Sequence, residues 1–279
     1  VKYRIGNLEL ENKVFLAPML EPNDIAFRLL CRRAGCGLTY SGMTSALSRK
    51  KLDLDDKPAL QLFGNSVNGI GSFMKKYDSK VSLWDFNLGC PSKLSRKLEH
   101  GAFMSGDLDL IESILKVMRA NTKRPLTIKI RKSENALEIV EMAERYVDAV
   151  CIHARTIGQG YSGEVDYDFA LEVKKNTKLP VIFSGDVKLD NIERILEDFD
   201  FVMIGRAAIG KPGIFGKSED DVGFEEYLKL AKKYGLFFRQ IKYQAMNFTK
   251  GVVGGKKLRE ALVEAGNIGD VEKVMGRNK

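Results

Sequence analysis

Short runs of consecutive apolar residues alternate along this chain with stretches whose apolar positions recur every three or four residues. The runs lie at 14–17, 38–40, 59–63, 81–89, 126–130, 149–153, 181–183 and 201–204. Most stop at turn-forming residues such as Pro18, Gly64, Ser184-Gly185 and Gly205. Between them, helical spacing covers a segment after Asp24, then 67–77, 107–121, 134–146, 166–176 and 188–197. Asp24 stands where a helix N-cap is needed, ahead of Ile25, Leu29 and Leu30. Near-continuous apolar runs imply strands buried on both faces, hence a parallel sheet. Eight strand–helix units in this length favour an α/β fold closed into a (β/α)8 TIM barrel.

The pattern changes after Gly216. Residues 217–221 (KSEDD) form a polar break, and from Phe224 onward the apolar spacing is helical only. The chain is therefore expected to divide into a barrel at 1–216 and a small all-helical domain at 217–279. GVVGG at 251–255 marks a turn between helices. No repeat of solenoid period and no low-complexity tract is present.

Composition narrows the class. Among 279 residues, 44% are hydrophobic, enough for a substantial core, and no run is long enough to span a membrane. The opening VKYRIGNLELENKV alternates charged and apolar residues and lacks the apolar centre of a signal peptide. The four cysteines (31, 36, 90, 151) lack the pattern of a disulfide framework and read as reduced thiols of a cytoplasmic protein. Cys31 and Cys36 have no second Cys or His pair, so no structural metal is expected. The net charge of +8 is unevenly placed: residues 224–259 hold nine Lys or Arg against two acids, a net of +7. Such a segment suits a polyanion, although a solvated helical face is the plain reading of any single lysine.

In a barrel, polar residues at the C-terminal ends of strands gather on one face, where active sites lie. Here these positions offer Pro18-Met19, Gln61, Asn87 and Cys90, Lys129, His153 and Arg155, Gly185-Asp186 and Gly205-Arg206. Cys90, between Gly89 and Pro91, is displayed on a rigid strand end and followed by a basic loop. It could be a nucleophile, a general acid or a core thiol. A free cysteine, with a reference pKa of about 8.5, is mostly protonated at neutral pH, so the general acid demands the least added machinery. Ser184-Gly185-Asp186 and Gly205-Arg206, after strands seven and eight, fit a phosphate: backbone N–H groups and a guanidinium suit a dianion. Lys129 inside a strand needs an acceptor, because an unpaired buried ammonium is costly. The N1–C2=O edge of a reduced flavin is such an acceptor, and Gln61 could bond the same ring. His153, close to Arg155 and a glycine-containing loop, is a candidate ligand contact.

The block NLGCPSKLSRKLEHGAFM resembles the N-x-G-C-P…G-A motif of tRNA-dihydrouridine synthases. APMLEPND with AFR, KPALQLFG, TIKIR, HARTIGQGYSGEVDY, SGDV and MIGRAAIGKPGIF follow in that family's order along the barrel, to about residue 216. The resemblance implies reduction of particular uridines in tRNA to 5,6-dihydrouridine, with FMN as cofactor and NADPH (or NADH) as reductant. It implies hydride transfer from flavin N5 to C6 and a proton from Cys90 to C5. By motif, Asn87 looks like a ligand of uracil and flavin, and Pro18 and Met19 look like residues against the isoalloxazine. Gln61 and Lys129 resemble its polar-edge partners and His153 the flavin-site histidine. Ser184, Gly185, Asp186, Gly205 and Arg206 fall in the phosphate segments. By the same resemblance, Arg155 is expected near the uridine or its phosphate.

A basic helical C-terminal domain is also a family trait. An extracted base leaves a polyanion to be held, and Lys232, Lys233, Arg239, Lys242, Lys256, Lys257 and Arg259 are candidate contacts. A monomer and no membrane partner are expected. The chain departs from the family pattern at Glu21-Pro22-Asn23, Gly42, Ser184 and Gly213, which suggests a divergent branch. Two other readings are a dihydroorotate-dehydrogenase-like FMN barrel acting on a free pyrimidine and a non-catalytic flavin-containing RNA-binding protein. The basic tail speaks against the first. Intact Cys90, Lys129 and His153 speak against the second.

Overall fold

A computed structural model describes residues 2–216 and 222–276. The polar break at 217–221, where the sequence sets its domain boundary, lies outside the described residues. The chain opens with a hairpin that the sequence reading had no strand for, β1 (Tyr3–Ile5) paired antiparallel with β2 (Leu8–Leu10). Then come β3 (Val14–Leu16), β4 (Leu38–Thr39), β5 (Thr44–Ser45), β6 (Ala59–Phe63), β7 (Leu83–Leu88), β8 (Leu126–Arg131), β9 (Ala149–His153), β10 (Val181–Ser184) and β11 (Phe201–Ile204). They form one sheet in the order β4-β3-β11-β10-β9-β8-β7-β6-β5, and every paired register is parallel. A parallel bridge between Tyr40 and Ala59 joins β4 to β6 and closes the ring. The second barrel strand is thus split into β4 and β5.

Strand parity explains the ring. Val14, Leu16, Leu60, Trp84, Phe86, Ile128, Val150, Phe183 and Val202 face outward into one large core shared with the helices. Phe15, Leu38, Tyr40, Ala59, Leu83, Ala149, Cys151, Ile182, Phe201 and Met203 form a separate inner cluster, joined by Ile5 and Leu10 of the hairpin. The hairpin therefore adds apolar side chains to the barrel interior. From mid-barrel (Gln61, Asp85, Thr127) to the C-terminal strand ends (Asn87, Ser184), polar side chains lie buried. This apolar-to-polar gradient sets where chemistry can occur.

The connecting helices are α1 (Ile25–Arg33), α2 (Ile70–Tyr77), α3 (Lys93–Lys97), α4 (Leu108–Ala120), α5 (Ala136–Ala143), α6 (Tyr167–Lys175) and α7 (Ile192–Asp198). Asp24 caps α1 by accepting from Phe27 N at 2.8 Å. Its apolar face (Ile25, Phe27, Leu30, Cys31) is buried, and each large aliphatic or aromatic contributes roughly 1.5–3 kcal/mol. Four further helices follow: α8 (Phe224–Lys233), α9 (Phe238–Phe248), α10 (Gly255–Glu264) and α11 (Ile268–Gly276). The GVVGG turn joins α9 to α10, with Gly251 and Gly254 at positive φ. These helices are not detached. Tyr227, Ile241, Ala245, Leu262 and Val271 belong to the same core cluster as the outer barrel wall, and Gln244 Nε2 donates to Asp24 Oδ2 at 3.0 Å.

Candidate active site

Cys90 follows β7 and is half-buried, whereas Cys31, Cys36 and Cys151 are buried. Its main chain is held from both sides. Asn87 Oδ1 accepts from Gly89 N at 3.2 Å and from Cys90 N at 3.0 Å. Cys90 O accepts from Ala102 N at 3.2 Å. Gly101 sits at φ +64, and a Cβ there would stand 2.9 Å from Cys90 O, so only glycine lets the returning chain approach so closely. The basic loop expected at 93–100 is a correction: residues Lys93–Lys97 form α3, which Ser92 caps by accepting from Ser95 N, and a 3-10 turn covers Gly101–Met104. The cap starts a helix that basic residues without an apolar period did not announce.

Beneath this loop runs a line of polar side chains on registered strand positions. Gln61 stands opposite Asp85, and Asp85 opposite Thr127. Asn87 Nδ2 donates to Gln61 Oε1 at 2.7 Å, Gln61 Nε2 to Asp85 Oδ2 at 2.6 Å, and Thr127 Oγ1 to Asp85 Oδ1 at 2.5 Å. Gln61, Asp85 and Thr127 are fully buried. Burial pushes the Asp85 carboxyl up to about 7, against the opposing pull of Thr127, Gln61 and the Lys129 charge.

From Lys129, beside Asn87 in register, the ring onward through β9 is cationic. Lys129 Nζ reaches Ser184 Oγ at 3.5 Å. His153 is pushed down to about 2 by burial and then by Lys129, Arg131, Arg155 and Arg206, so its ring is neutral. Arg155, only 1% exposed, donates Nε and Nη2 to Gly163 O at 3.1 and 2.6 Å, meets His153 Nε2 at 3.2 Å and pairs with Asp186. Its donors are thus turned inward, and it braces the 155–163 loop where the sequence suggested a uridine or phosphate contact. Gly185 (φ +120) could not carry a Cβ, which would lie 2.5 Å from Val165 Cγ1. A Cβ at Gly205 would meet nothing nearer than Ala17 at 3.6 Å, and the neighbouring Arg206 is exposed, touching Asp186 at 3.5 Å. Tyr161 lies between the guanidiniums of Arg206 and Arg131, at 5.3 and 5.5 Å.

Comparison with known proteins gives the family. The profile of the dihydrouridine synthase family (Dus) matches residues 15–268. The chain belongs to that family. It is 35% identical over 234 residues to tRNA-dihydrouridine synthase B of Salmonella typhimurium, covering 76% of this chain and 73% of that protein. It is 32% identical over 252 residues to a probable tRNA-dihydrouridine synthase of Rickettsia bellii, covering 82% and 76%. Among solved structures it resembles morphinone reductase in complex with tetrahydroNAD (TM-score 0.52, 12% identity, 77% of this chain and 88% of that one). It also resembles an amine oxidase of Pseudomonas geniculata (TM-score 0.56, 11% identity, 92% and 52%). At such identities the two structures speak to the fold alone.

Two departures of this dihydrouridine synthase from its family pattern meet in space. Asn23 Nδ2 bonds Met19 O at 3.0 Å and Tyr40 O at 3.3 Å, and Gly42 lets Met19 O approach to 3.0 Å of where a Cβ would stand. Pro18 and Met19 are both half-buried beside this junction. A cleft of about 500 Å³ opens next to it, lined by Asn23, Ser41, Met43, Lys50, Lys51 and Tyr243 among others. Its lining includes none of Cys90, Lys129 and His153, so it is distinct from the thiol-bearing cluster.

The basic residues of the C-terminal helices divide into two groups. Lys232 pairs with Glu272, Lys242 donates to Val263 O and Ala265 O at 2.7 and 2.9 Å, and Arg259 Nη1 donates to Thr249 O at 2.8 Å. Lys233 lies over the Tyr234 ring. Arg239, Lys256 and Lys257 are exposed and carry no ion pair among the described residues. Asp85, Thr127 and Arg131 were missed in the sequence. Arg131 donates Nε to Gly89 O at 3.0 Å and Nη1 to Thr156 O and Gly160 O at 3.0 and 2.7 Å, tying the Cys90 loop to the 155–163 loop. The available signal was parity: 127, 129 and 131 share one side of a strand. Among the described residues no cluster could hold a metal, and no helix is long and apolar enough to cross a membrane.

Proposed function

We propose that this chain reduces particular uridines of tRNA to 5,6-dihydrouridine, with FMN as the bound cofactor and NADPH or NADH as the reductant. The observation that carries the reading is a half-buried thiol, Cys90, on a loop pinned by Asn87 and Gly101 at the polar end of the barrel.

The residues present fit a flavin mononucleotide. Lys129 has one long hydrogen bond to Ser184, which leaves donors for an anionic ring edge. At Gly205 a Cβ would meet only Ala17, at 3.6 Å, and exposed Arg206 adds a guanidinium, as a phosphate requires. Gln61 keeps a second N–H and a second lone pair beyond its bonds to Asp85 and Asn87. Gln61, Asn87, Lys129 and neutral His153 would hold the ring. Ser184, Gly185, Asp186, Gly205 and Arg206 would hold the phosphate, with Pro18 and Met19 against the ring face. When bound and reduced, the flavin supplies the hydride that uracil C6 receives.

The chain's own part is the proton. Cys90 gives its S–H proton to C5 as the C5=C6 bond is saturated, and the thiolate regains a proton from solvent. Asn87 orients the loop and the uracil, while Arg155 acts through His153 and Asp186. The helices after 217 form the tRNA-binding part and residues 1–216 the catalytic part. Arg239, Lys256 and Lys257 have side chains free for phosphates, with Lys233 beside them. Lys232, Lys242 and Arg259 serve first to hold the helices. The reading describes a cytoplasmic, monomeric enzyme.

The test is purification followed by assay. The protein should be yellow with an oxidised-flavin spectrum, and Cys90→Ala should keep the flavin while dihydrouridine formation falls by about 10²–10⁴-fold, the usual worth of a general acid. A colourless protein that takes up no FMN overturns the flavin assignment. Undiminished activity in Cys90→Ala overturns the proton donor.

A further inference from the structure

An asparagine or glutamine amide has an oxygen at one end and an NH2 at the other, and nothing in the side chain itself decides which way it faces. Along the line from Cys90 into the barrel each choice is forced. The N–H groups of Gly89 and Cys90 can only be accepted, so Asn87 must show them Oδ1 and turn Nδ2 to Gln61. Gln61 must then show Oε1 to Asn87 and direct Nε2 onward, to Asp85 Oδ2. The ionised Asp85 only accepts, and its other oxygen takes the Thr127 hydroxyl. Reversing Asn87 would set its NH2 against main-chain N–H donors, and reversing Gln61 would set its NH2 against that of Asn87.

We propose that Asp85 is a positioning residue for Cys90: by accepting from Gln61 it anchors the inner end of a line whose facing the Gly89 and Cys90 N–H groups set, and so holds the thiol-bearing loop in place. This rests on Cys90 being the proton donor. The anchor is rigid because Gln61, Asp85 and Thr127 hold paired register on three neighbouring strands. Lys129, Tyr40 and Cys151 are the other titratable groups facing the carboxylate. A carboxylate buried completely is a burden on folding, and the inner pair just below it, Leu83 with Ala59, is apolar. Its retention beneath the Cys90 loop fits a task there.

The experiment compares Asp85→Ala and Asp85→Asn in the full-length, flavin-loaded protein. Hydrogen exchange followed by mass spectrometry reads the peptide carrying Gly89 and Cys90, with α9 to α11 as the internal control. Asp85→Ala should exchange about ten-fold faster at Gly89–Cys90 and at the unchanged rate in α9 to α11, as loss of one hydrogen bond's hold predicts. Single-turnover dihydrouridine formation should slow by about ten-fold while tRNA affinity stays as it was. Asp85→Asn, which can still present an oxygen to Gln61, should recover most of both. Wild-type exchange at Gly89–Cys90 in Asp85→Ala overturns the proposal, and so does loosening spread evenly over barrel and helices. A loosened loop with unslowed chemistry also overturns it, provided Cys90→Ala is inactive. If Cys90→Ala is active, the proton-donor reading falls instead, and the exchange measurement alone decides whether Asp85 sets the loop.

Discussion

Two titrations at the site act on stability in opposite directions. The folded Asp85 carboxyl is raised from 3.8 to about 7. Across that window the folded state binds more protons than the unfolded chain, so Asp85 lowers stability as pH rises. His153 is depressed from 6.5 to about 2. Below pH 6.5 the unfolded chain takes a proton that the folded ring refuses, so this residue lowers stability as pH falls. Urea midpoints across that range should show Asp85→Asn losing the first slope and His153→Asn the second. NMR should find the His153 ring neutral at pH 5. Gly185→Ala should cost roughly 2–4 kcal/mol, because it adds left-handed strain to a 2.5 Å approach to Val165; thermal unfolding reads that loss. Cys90, His153 and the glycine turns were legible in the sequence, because a polar residue ending an apolar run stands out, and Lys129 because an ammonium inside a strand needs an acceptor. Asp85 was not, since a single acid inside such a run reads as a blemish until strand parity is known, and Arg131, ending its strand beside Lys129, reads as a rim residue.

At the scale of elements, the site depends on ties between loops. Arg131 joins the segment after β7 to the one after β9 through Gly89, Thr156 and Gly160. Arg131→Met should leave those part-buried carbonyls without their donor, at about 0.5–1.5 kcal/mol for each hydrogen bond lost. Limited proteolysis should then cut within 156–163 sooner. Arg131→Lys should recover little, because an ammonium cannot span both loops as a planar fork does. The eight barrel strands could be read in advance because their outward faces are apolar throughout and most inward positions are too. The first hairpin could not, because its three-residue strands give an alternation too short to count. The split of the second strand into β4 and β5 had no sequence signal, since closure depends on the single Tyr40–Ala59 bridge.

For the whole molecule, barrel and helices share one apolar core, so they should unfold together. Trp84, the sole tryptophan, is fully buried on β7 and reports the barrel alone. Its fluorescence should change at the same denaturant concentration as the helical circular dichroism, as a single cooperative transition requires. Surface charge makes a separate prediction. Glutamate at both Lys256 and Lys257 should weaken tRNA binding and flatten its salt dependence by roughly one logarithmic unit per lost phosphate contact. Lys242→Met should instead lower thermal stability, because its ammonium caps the carbonyls of Val263 and Ala265. The arrangement of the four thiols has a practical result. Three lie sealed in the interior, where burial also resists their ionisation, and one stands at the mouth. An alkylating dye offered to the native protein should therefore mark a single position, and the protection of that position by added tRNA would report occupancy without any turnover.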